Sequence, residues 1–177
     1  MRLFIALNTP KEIGDYFKSI QSQLDKTIAK LRLTFSFHLT LKFLDEVDDK
    51  TADRIIIKLD SIKSMPFVLK TENIGVFPNS NYIRVVWVGL SKNHELISLQ
   101  KNIDNVLEEF NFKKDFDFHP HITLARVSLV SDKERFSESI EKIKIEENSF
   151  EVKKFVLYES DLTREGPIYK IKKEFYF

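Results

Sequence analysis

A two-residue alternation of apolar and polar side chains marks the segment 116–127. This period is typical of a β-strand with one buried face. On such a strand His121 and Thr123 point to one side, about 7 Å apart at a rise of roughly 3.3 Å per residue. Ile122 and Leu124 point to the other side. The pattern therefore predicts a strand that buries its aliphatic face and leaves an imidazole and a hydroxyl on the open face.

The same pattern occurs earlier, in a strand predicted over residues 35–44. There His38 and Thr40 again share one face, and Leu39 and Leu41 share the other. An imidazole can accept or donate a proton near neutral pH, and a hydroxyl can donate a hydrogen bond to an anionic oxygen. Two copies of one His-x-Thr pattern in a short chain indicate a site for an oxyanion, rather than two unrelated structural histidines.

The two histidine strands belong to a longer internal repeat. His38 and His121 lie 83 residues apart, and so do the strand-like runs that begin at Phe67 and Phe150. A further apolar run precedes each histidine by 36 or 37 residues. Self-similarity at a fixed period indicates duplicated structural units. We therefore predict a single domain over 1–177, with pseudo-repeats at about 1–77 and 82–160 and a last strand over 168–177.

Helical periodicity separates the predicted strands. Thr9-Pro10-Lys11-Glu12 has the form of a capping box, and apolar residues follow at three- and four-residue steps as far as Leu31, which predicts a long first helix. Alternation of strands and helices predicts an α+β fold with two mostly antiparallel sheets that face a central groove and carry helices on the outside. Three more helices are predicted after Asp48 or Asp49, after Ser91 or Asn93 and after Ser131, further strands at 2–8, 66–77, 82–90 and 149–159, and a loop at 160–167.

Composition limits the classes of protein to consider. The 177 residues carry a net charge of +1, so any binding of a polyanion must depend on a local patch rather than on the field of the whole protein. The chain has no cysteine, which excludes disulfides, thiolate metal sites and a cysteine nucleophile. No apolar run approaches a membrane span, and the run 3–7 is too short for a signal peptide. We expect a cytoplasmic protein with no membrane contact.

The paired motifs predict acid–base chemistry. If the two repeats face each other, two imidazoles and two hydroxyls surround one point. One imidazole can take a proton from an attacking hydroxyl or water while the other gives a proton to the leaving oxygen. Thr40 and Thr123 can then hydrogen-bond the non-bridging oxygens of a phosphate. No carboxylate follows either motif at the spacing of metal ligands, so we expect neither a metal nor another cofactor.

Two segments contain the His-x-Thr motifs: His38-Leu39-Thr40-Leu41-Lys42-Phe43-Leu44 and His119-Pro120-His121-Ile122-Thr123-Leu124-Ala125-Arg126-Val127. They resemble the motifs of the two-histidine (2H) phosphoesterase superfamily, in which the closest branch is the RNA 2′,3′-cyclic phosphodiesterases, also called 2′-5′ RNA ligases. The resemblance extends to three more segments, which are the start Arg2-Leu3-Phe4-Ile5-Ala6-Leu7, Arg84-Val85-Val86-Trp87 and the closing Glu165-Gly166-Pro167-Ile168-Tyr169. Asp45 departs from this pattern, because the family commonly has glycine after Phe-Leu.

This resemblance implies an activity and a set of site residues. It implies metal-independent opening of an RNA 2′,3′-cyclic phosphate to a 2′-phosphomonoester, and a slow, reversible joining of RNA ends through a 2′-5′ bond. It assigns the proton donor to His38 and the proton acceptor to His121. It implies RNA ends with a 2′,3′-cyclic phosphate as the binding partner, with no obligate protein partner. The repeat makes an exchange of the two histidine roles physically reasonable.

Three polar residues near the motifs have no settled role in the sequence. Strand parity puts Arg126 on the face opposite to His121, so Arg126 reaches a phosphate only if a β-bulge re-aims its side chain. The resemblance favours such a phosphate-binding role. Lys42 shares parity with His38, which predicts a solvated lysine within reach of an RNA backbone. His119 shares parity with His121 and is expected to line the groove.

Two alternatives to an RNA-end cyclic phosphodiesterase remain open. The first is a 2H phosphodiesterase that acts on another cyclic or 2′-5′ nucleotide substrate, because the lining of the groove sets the substrate. The second is a non-catalytic RNA-binding module that retains the fold. The near-neutral net charge disfavours this module, since non-specific affinity for RNA depends on neutralising phosphates.

Overall fold

The computed structural model describes residues 1–114, 117–163 and 166–177. It has the predicted α+β fold, in which four helices pack on one large antiparallel sheet. The helices are α1 Lys11–Gln21, α2 Asp49–Asp60, α3 His94–Val106 and α4 Lys133–Glu141. The strands are β1 Arg2–Asn8, β2 Ala29–Leu33, β3 His38–Glu46, β4 Phe67–Asn79, β5 Tyr82–Leu90, β6 His121–Val130, β7 Ser149–Val152, β8 Lys154–Thr163 and β9 Gly166–Tyr176.

The sheet is continuous, in the order β7-β4-β5-β6-β3-β1-β8-β9, and β2 pairs with residues 125–130 of β6. The two central strands, β3 and β6, are registered through one residue pair, Leu39 and Ile122. The two predicted sheets are therefore the two halves of one sheet, joined at that pair.

The order of the strands has an approximate twofold symmetry about the Leu39–Ile122 pair. On one side β6 is followed by β5 and β4, and on the other side β3 is followed by β1 and β8. Leu39 and Ile122 are themselves 83 residues apart, which is the period of the sequence repeat. The pair that joins the halves is thus formed by equivalent residues of the two copies.

One face of the sheet packs against the helices, and the other face is open at the centre. The inward-facing residues of the central strands, among them Leu39, Leu41, Ile122 and Leu124, are almost wholly buried in one hydrophobic core. The helices contribute amphipathic faces to this core, and three of them begin at a side-chain cap. Asp48, Asn93 and Asp132 accept hydrogen bonds from the backbone N–H groups of Thr51, Leu96 and Arg135.

The first helix is shorter than its apolar spacing predicts. It ends at Gln21 rather than near Leu31, and it begins after Pro10 without a side-chain cap. Asp25 accepts hydrogen bonds from the N–H and the hydroxyl of Thr27, which turns the chain into β2. β2 then pairs with β6, so Leu31 packs on the core from a strand and not from a helix.

The C-terminal region also differs from the prediction. Much of the predicted loop 160–167 is strand, because β8 and β9 form a long hairpin that pairs Thr163 with Gly166. Residues 164–165 of that loop lie outside the described residues, as does residue 116 of the predicted histidine strand. Asp45, which replaces the glycine common in the family, adopts a φ of 51° at an irregularity of β3. That left-handed conformation is one that glycine adopts without strain.

Candidate functional site

The centre of the open face carries both His-x-Thr motifs. In each central strand the histidine and the threonine flank the residue of the Leu39–Ile122 pair and point away from the core. Antiparallel register sets each histidine beside the threonine of the other motif, where opposite Cβ atoms lie about 5 Å apart. All four side chains are half-buried, and the structure brings together His38, Thr40, His121 and Thr123.

The two imidazoles are held in the same way. Nδ1 of His38 lies 3.0 Å from the carbonyl oxygen of Ser36, and Nδ1 of His121 lies 2.7 Å from that of His119. A carbonyl only accepts hydrogen bonds, so each Nδ1 carries the proton that it donates. Nε2 of each neutral ring is then the nitrogen that can exchange a proton with a ligand. Ser36 and His119 are also separated by the 83-residue period.

Aromatic rings enclose each histidine. On the first side, Phe4 and Tyr169 both have ring centroids 5.2 Å from that of His38, and Tyr169 meets it edge-on. On the second side, Phe77 meets His121 edge-on at 5.0 Å, and Trp87 lies 6.0 Å away. These walls exclude water from the sides of the imidazoles, and they fix the planes of the rings.

Burial changes the proton affinity of one histidine. It lowers the pKa of His38 from 6.5 to about 4, because desolvation disfavours the charged imidazolium. The hydrogen bond to the Ser36 carbonyl raises the pKa, whereas the positive charges of Arg126 and His121 lower it further. His38 is therefore neutral at pH 7 in the free protein.

A β-bulge in each central strand reverses the strand parity just beyond the motif. In β6, Trp87 opposes Thr123 and Val86 opposes Ala125, so Leu124 is the extra residue. In β3, the equivalent extra residue is Leu41. Consecutive residues then face the core: Leu124 and Ala125 in β6, and Leu41 and Lys42 in β3.

The bulge settles the direction of Arg126. This residue is exposed and follows two consecutive core residues, so it lies on the same face as His121 and Thr123. Its charge lowers the pKa of His38 and opposes the burial that raises the pKa of Tyr169. The sequence analysis required a β-bulge for Arg126 to reach a phosphate, and the structure has that bulge.

The equivalent bulge turns Lys42 inward and corrects the prediction of a solvated lysine. Lys42 is 7% exposed, and its ammonium group pairs with the carboxylate of Asp104 and donates a 3.0 Å hydrogen bond to the carbonyl oxygen of Lys113. Gln100 donates to the other oxygen of Asp104. A buried ion pair of this kind is costly to break, because one charge would remain unpaired. Lys42 therefore ties α3 and the segment before β6 to the central strand.

The aromatic residues near the motifs divide into buried and exposed members. Trp87 is buried, with the ring of the exposed His119 packed edge-on at 4.8 Å, so His119 lines the groove as predicted. Phe43 and Tyr82 are 59% and 56% exposed. The bulge puts Phe43 on the open face, and Tyr82 is exposed next to the buried Ile83 in β5.

Two further properties of the described residues bear on the chemistry. In residues 1–114, 117–163 and 166–177, no three histidine, cysteine, aspartate or glutamate side chains gather where they could hold a metal ion. Within the same residues, no helix is long and apolar enough to cross a membrane.

Known proteins resemble this chain in sequence and in fold. A family model described as LigT-like phosphoesterase matches the chain twice, over residues 7–87 and 88–169. The RNA 2′,3′-cyclic phosphodiesterase of Methanocaldococcus jannaschii is 40% identical, and the match covers 98% of this chain and 99% of that protein. The protein of the same name from Archaeoglobus fulgidus is 34% identical, with 96% and 97% covered.

A solved structure agrees with these sequence matches. The crystal structure of Escherichia coli LigT complexed with 3′-AMP superimposes with a TM-score of 0.77 at 26% identity, and the match covers 99% of this chain and 96% of that one. Each of the two segments matched by the family model contains one His-x-Thr motif. This chain belongs to the LigT-like phosphoesterase family of 2H phosphoesterases.

Proposed function

We propose that this chain opens the 2′,3′-cyclic phosphate at the end of an RNA strand and leaves a 2′-phosphomonoester. The observation that carries the proposal is the arrangement of two His-x-Thr motifs around the Leu39–Ile122 pair. Two rings that can carry protons and two hydroxyls then face a single phosphorus atom. The names of the relatives from M. jannaschii and A. fulgidus support the same class of substrate.

The reaction needs one proton acceptor and one proton donor. The acceptor Nε2 removes a proton from water, and the water oxygen forms a bond to phosphorus. The bond from phosphorus to the 3′-oxygen breaks, its electron pair stays on that oxygen, and the donor Nε2–H protonates it. Each transfer contributes on the order of 10²–10⁴ in rate. The products are a 2′-phosphomonoester and a free 3′-hydroxyl.

The remaining polar groups stabilise the charge that develops on the phosphate. Thr40 and Thr123 lie on the same face as the imidazoles, so their hydroxyls can donate to the two non-bridging oxygens. The guanidinium of Arg126 supplies a positive charge at the edge of the same site, and it can bind phosphate oxygens in a bidentate manner. These groups allow the reaction to proceed without a metal ion.

The roles of the two histidines depend on the charge of the substrate. We propose His38 as the donor and His121 as the acceptor. A ring with a pKa of about 4 is neutral at pH 7 and carries a proton on Nδ1 alone, so Nε2 of His38 must gain a proton when the phosphate binds. A phosphate anion at hydrogen-bond distance favours the imidazolium and offsets its desolvation.

Binding of a product nucleotide is therefore expected to raise the pKa of His38 from about 4 by roughly 1 to 3 pH units. Adenosine 2′-monophosphate is a suitable ligand, because it carries the phosphate that the reaction leaves. The measurement is an NMR titration of the imidazole resonances in the free and the bound protein, with His38→Gln to assign the signal. A value that stays near 4 in the complex would transfer the donor role to His121.

The activity is tested directly with adenosine 2′,3′-cyclic phosphate in the presence of EDTA. The expected product is adenosine 2′-monophosphate, formed at the same rate before and after chelation, because no step depends on a metal. Formation of the 3′-monophosphate would contradict the choice of leaving oxygen. Loss of turnover on chelation, with recovery on adding a divalent cation, would contradict the metal-free mechanism.

The two alternatives are separated by this assay together with a 2′-5′ dinucleotide substrate and a measurement of RNA binding. A 2H enzyme for another substrate would leave the cyclic nucleotide intact and cleave a 2′-5′ dinucleotide. A non-catalytic RNA-binding module would bind RNA equally well after both histidines are replaced.

We also propose the reverse reaction, in which a 5′-hydroxyl of RNA takes the place of water and forms a 2′-5′ bond. A cytoplasmic location is proposed as well, and the lack of cysteine supports it.

A further inference from the structure

Beyond Arg126, strands β2 and β5 and the start of α4 carry cations that have no acidic partner among the described residues. Within the described parts of the chain, none of these side chains lies within 4.0 Å of a carboxylate oxygen, whereas many of the other lysines and arginines do. They are Lys30, Arg32, Arg84 and Lys133, and we call them the basic strip.

The pairing of the strands places the strip next to the catalytic centre. Arg32 of β2 is registered directly against Arg126 of β6, and Lys30 is registered against Leu129. Both side chains are exposed, while the intervening Leu31 packs on the core, so Arg32 and Lys30 lie on the open face. The charges of Arg32 and Arg126 both act on Tyr169, which meets the His38 ring edge-on.

The far end of the strip forms a small pocket. Tyr82, Arg84, Ser128, Leu129 and Lys133 are among the residues that line a cavity of about 160 Å³. The Arg84 guanidinium carbon lies 5.6 Å from the centroid of the Tyr82 ring, and that ring is more than half exposed. An exposed aromatic ring flanked by cations is the usual element for stacking a base of single-stranded RNA.

Comparison of the two repeats gives the groove a direction. Arg126, Ser128 and Leu129 of β6 are equivalent, at the 83-residue period, to Phe43, Asp45 and Glu46 of β3. The β3 end therefore carries two carboxylates on the path beyond the motif, where Asp45 lies 3.9 Å from Arg2 and Glu46 lies 3.5 Å from the terminal amine. The β6 end carries none.

Two carboxylates on the segments beside the strip are already engaged. Asp25 accepts hydrogen bonds from Thr27 and lies 3.6 Å from Arg135. Asp132 caps α4 through the N–H of Arg135. The four cations of the basic strip thus remain available to an external anion.

We propose that the basic strip binds the RNA strand upstream of its cyclic phosphate, with the phosphates of the preceding nucleotides on Arg32, Lys30, Arg84 and Lys133 and one base on Tyr82. The inference rests on the proposed function. A cyclic phosphate closes the 3′ end of an RNA, so the strand can leave the site in one direction only, and the cations without carboxylate partners lie at the β6 end. From His121 to Ser128, β6 extends about 20 Å, which is enough for several nucleotides.

The test compares two substrates in two matched variants. The substrates are adenosine 2′,3′-cyclic phosphate and a five-nucleotide RNA that ends in a 2′,3′-cyclic phosphate. The strip variant is Lys30→Gln with Arg84→Gln, and both residues lie several positions along the strands from the histidines. The control variant is Lys63→Gln with Lys101→Gln, which removes the same charge from exposed positions outside the open face.

The wild type is expected to have a kcat/KM at least about tenfold higher for the pentanucleotide than for the mononucleotide at low salt, because phosphate contacts raise the association rate. The strip variant should lose most of that advantage and retain its turnover of the mononucleotide. Its slope of log kcat/KM against log salt for the RNA should fall by about 1.4, for two lost contacts to a single strand. The control variant should keep both the advantage and the slope.

The possible results separate this inference from the proposed function. Equal kcat/KM values for both substrates in the wild type, or an equal loss in the strip and control variants, would overturn the binding role of the strip while the activity stands. Absence of turnover for both substrates in the wild type would overturn the proposed function and the inference together.

Discussion

Replacing His38 or His121 by alanine is expected to lower kcat/KM for adenosine 2′,3′-cyclic phosphate by about 10³–10⁴-fold. Each ring supplies one proton transfer, and each transfer contributes on the order of 10²–10⁴. The upper part of this range applies because each imidazole is fixed by a hydrogen bond from Nδ1 and by aromatic walls. The measurement is the initial rate of formation of the 2′-monophosphate, together with a circular dichroism melt to show that the fold persists.

The double variant and a third histidine sharpen this test. The two rings act in one concerted step, so removing both should cost little more than removing one. His94 is exposed at the start of α3, away from the open face, and His94→Ala should retain the wild-type rate. Near-normal turnover in either single variant would exclude the two-histidine mechanism. A loss in the double variant equal to the product of the two single losses would exclude it as well.

Strand parity predicted the face on which each of the four central side chains lies, because each motif spans only three residues of one strand. Within three residues of a regular strand, alternation fixes the face of each side chain, and His38, Thr40, His121 and Thr123 lie within that range. The repeat added the long-range information, because equivalent strands of a duplicated unit tend to meet around a common axis. The Leu39–Ile122 pair joins these strands at equivalent residues.

Parity failed one residue beyond the motifs, and for a definite reason. Leu41 and Leu124 are the extra residues of the two bulges. An aliphatic residue is expected on the buried face of these strands with or without a bulge, so the identity of these residues does not indicate the irregularity. The signal that could have found it is the pair of adjacent apolar residues Leu124 and Ala125, which breaks the alternation. The equivalent break in β3 involves Lys42, and a lysine is expected to be solvated. The ion pair with Asp104, which allows Lys42 to be buried, cannot be recognised from the sequence.

The over-long first helix illustrates a related limit. The spacing from Ile13 to Leu31 suits a continuous amphipathic helix, and its apolar members are indeed buried or packed on the core. Burial at helical spacing does not require one helix, however. Tertiary pairing with β6 draws the later residues into β2, and this strand places Arg32 beside Arg126 on the open face. A local pattern carries no information about that partner.

The bulges also break the equivalence of the two halves beside the motifs. The histidines and threonines are duplicated, so they alone would accept a phosphate in either orientation. Beyond the bulge, one half presents the exposed ring of Phe43 and the other presents the charge of Arg126. The cyclic phosphate of the proposed reaction is asymmetric, with a 2′-oxygen that stays and a 3′-oxygen that leaves. In that reaction, the charge of Arg126 is a feature of one half that can distinguish the two orientations.

Replacing Arg126 by alanine is accordingly expected to lower kcat/KM by about 10- to 150-fold, because a charge-assisted hydrogen bond to phosphate contributes roughly 1.5–3 kcal/mol. Arg126→Lys should recover part of the loss, since a lysine supplies the charge without the bidentate geometry. Because the charge of Arg126 lowers the pKa of His38, the alanine variant should also have a higher His38 pKa in the free protein, which the same NMR titration measures.

The matched control for this residue is Phe43→Ala, at the equivalent position of β3. It removes a large exposed side chain from the open face without altering any charge, so the His38 pKa should not move through electrostatics. Equal losses of activity in the two variants would mean that bulk at this position matters, and the phosphate-binding role would fail. A ratio of 2′- to 3′-monophosphate that shifts only in the Arg126 variant would show that the arginine orients the cyclic phosphate between the two imidazoles.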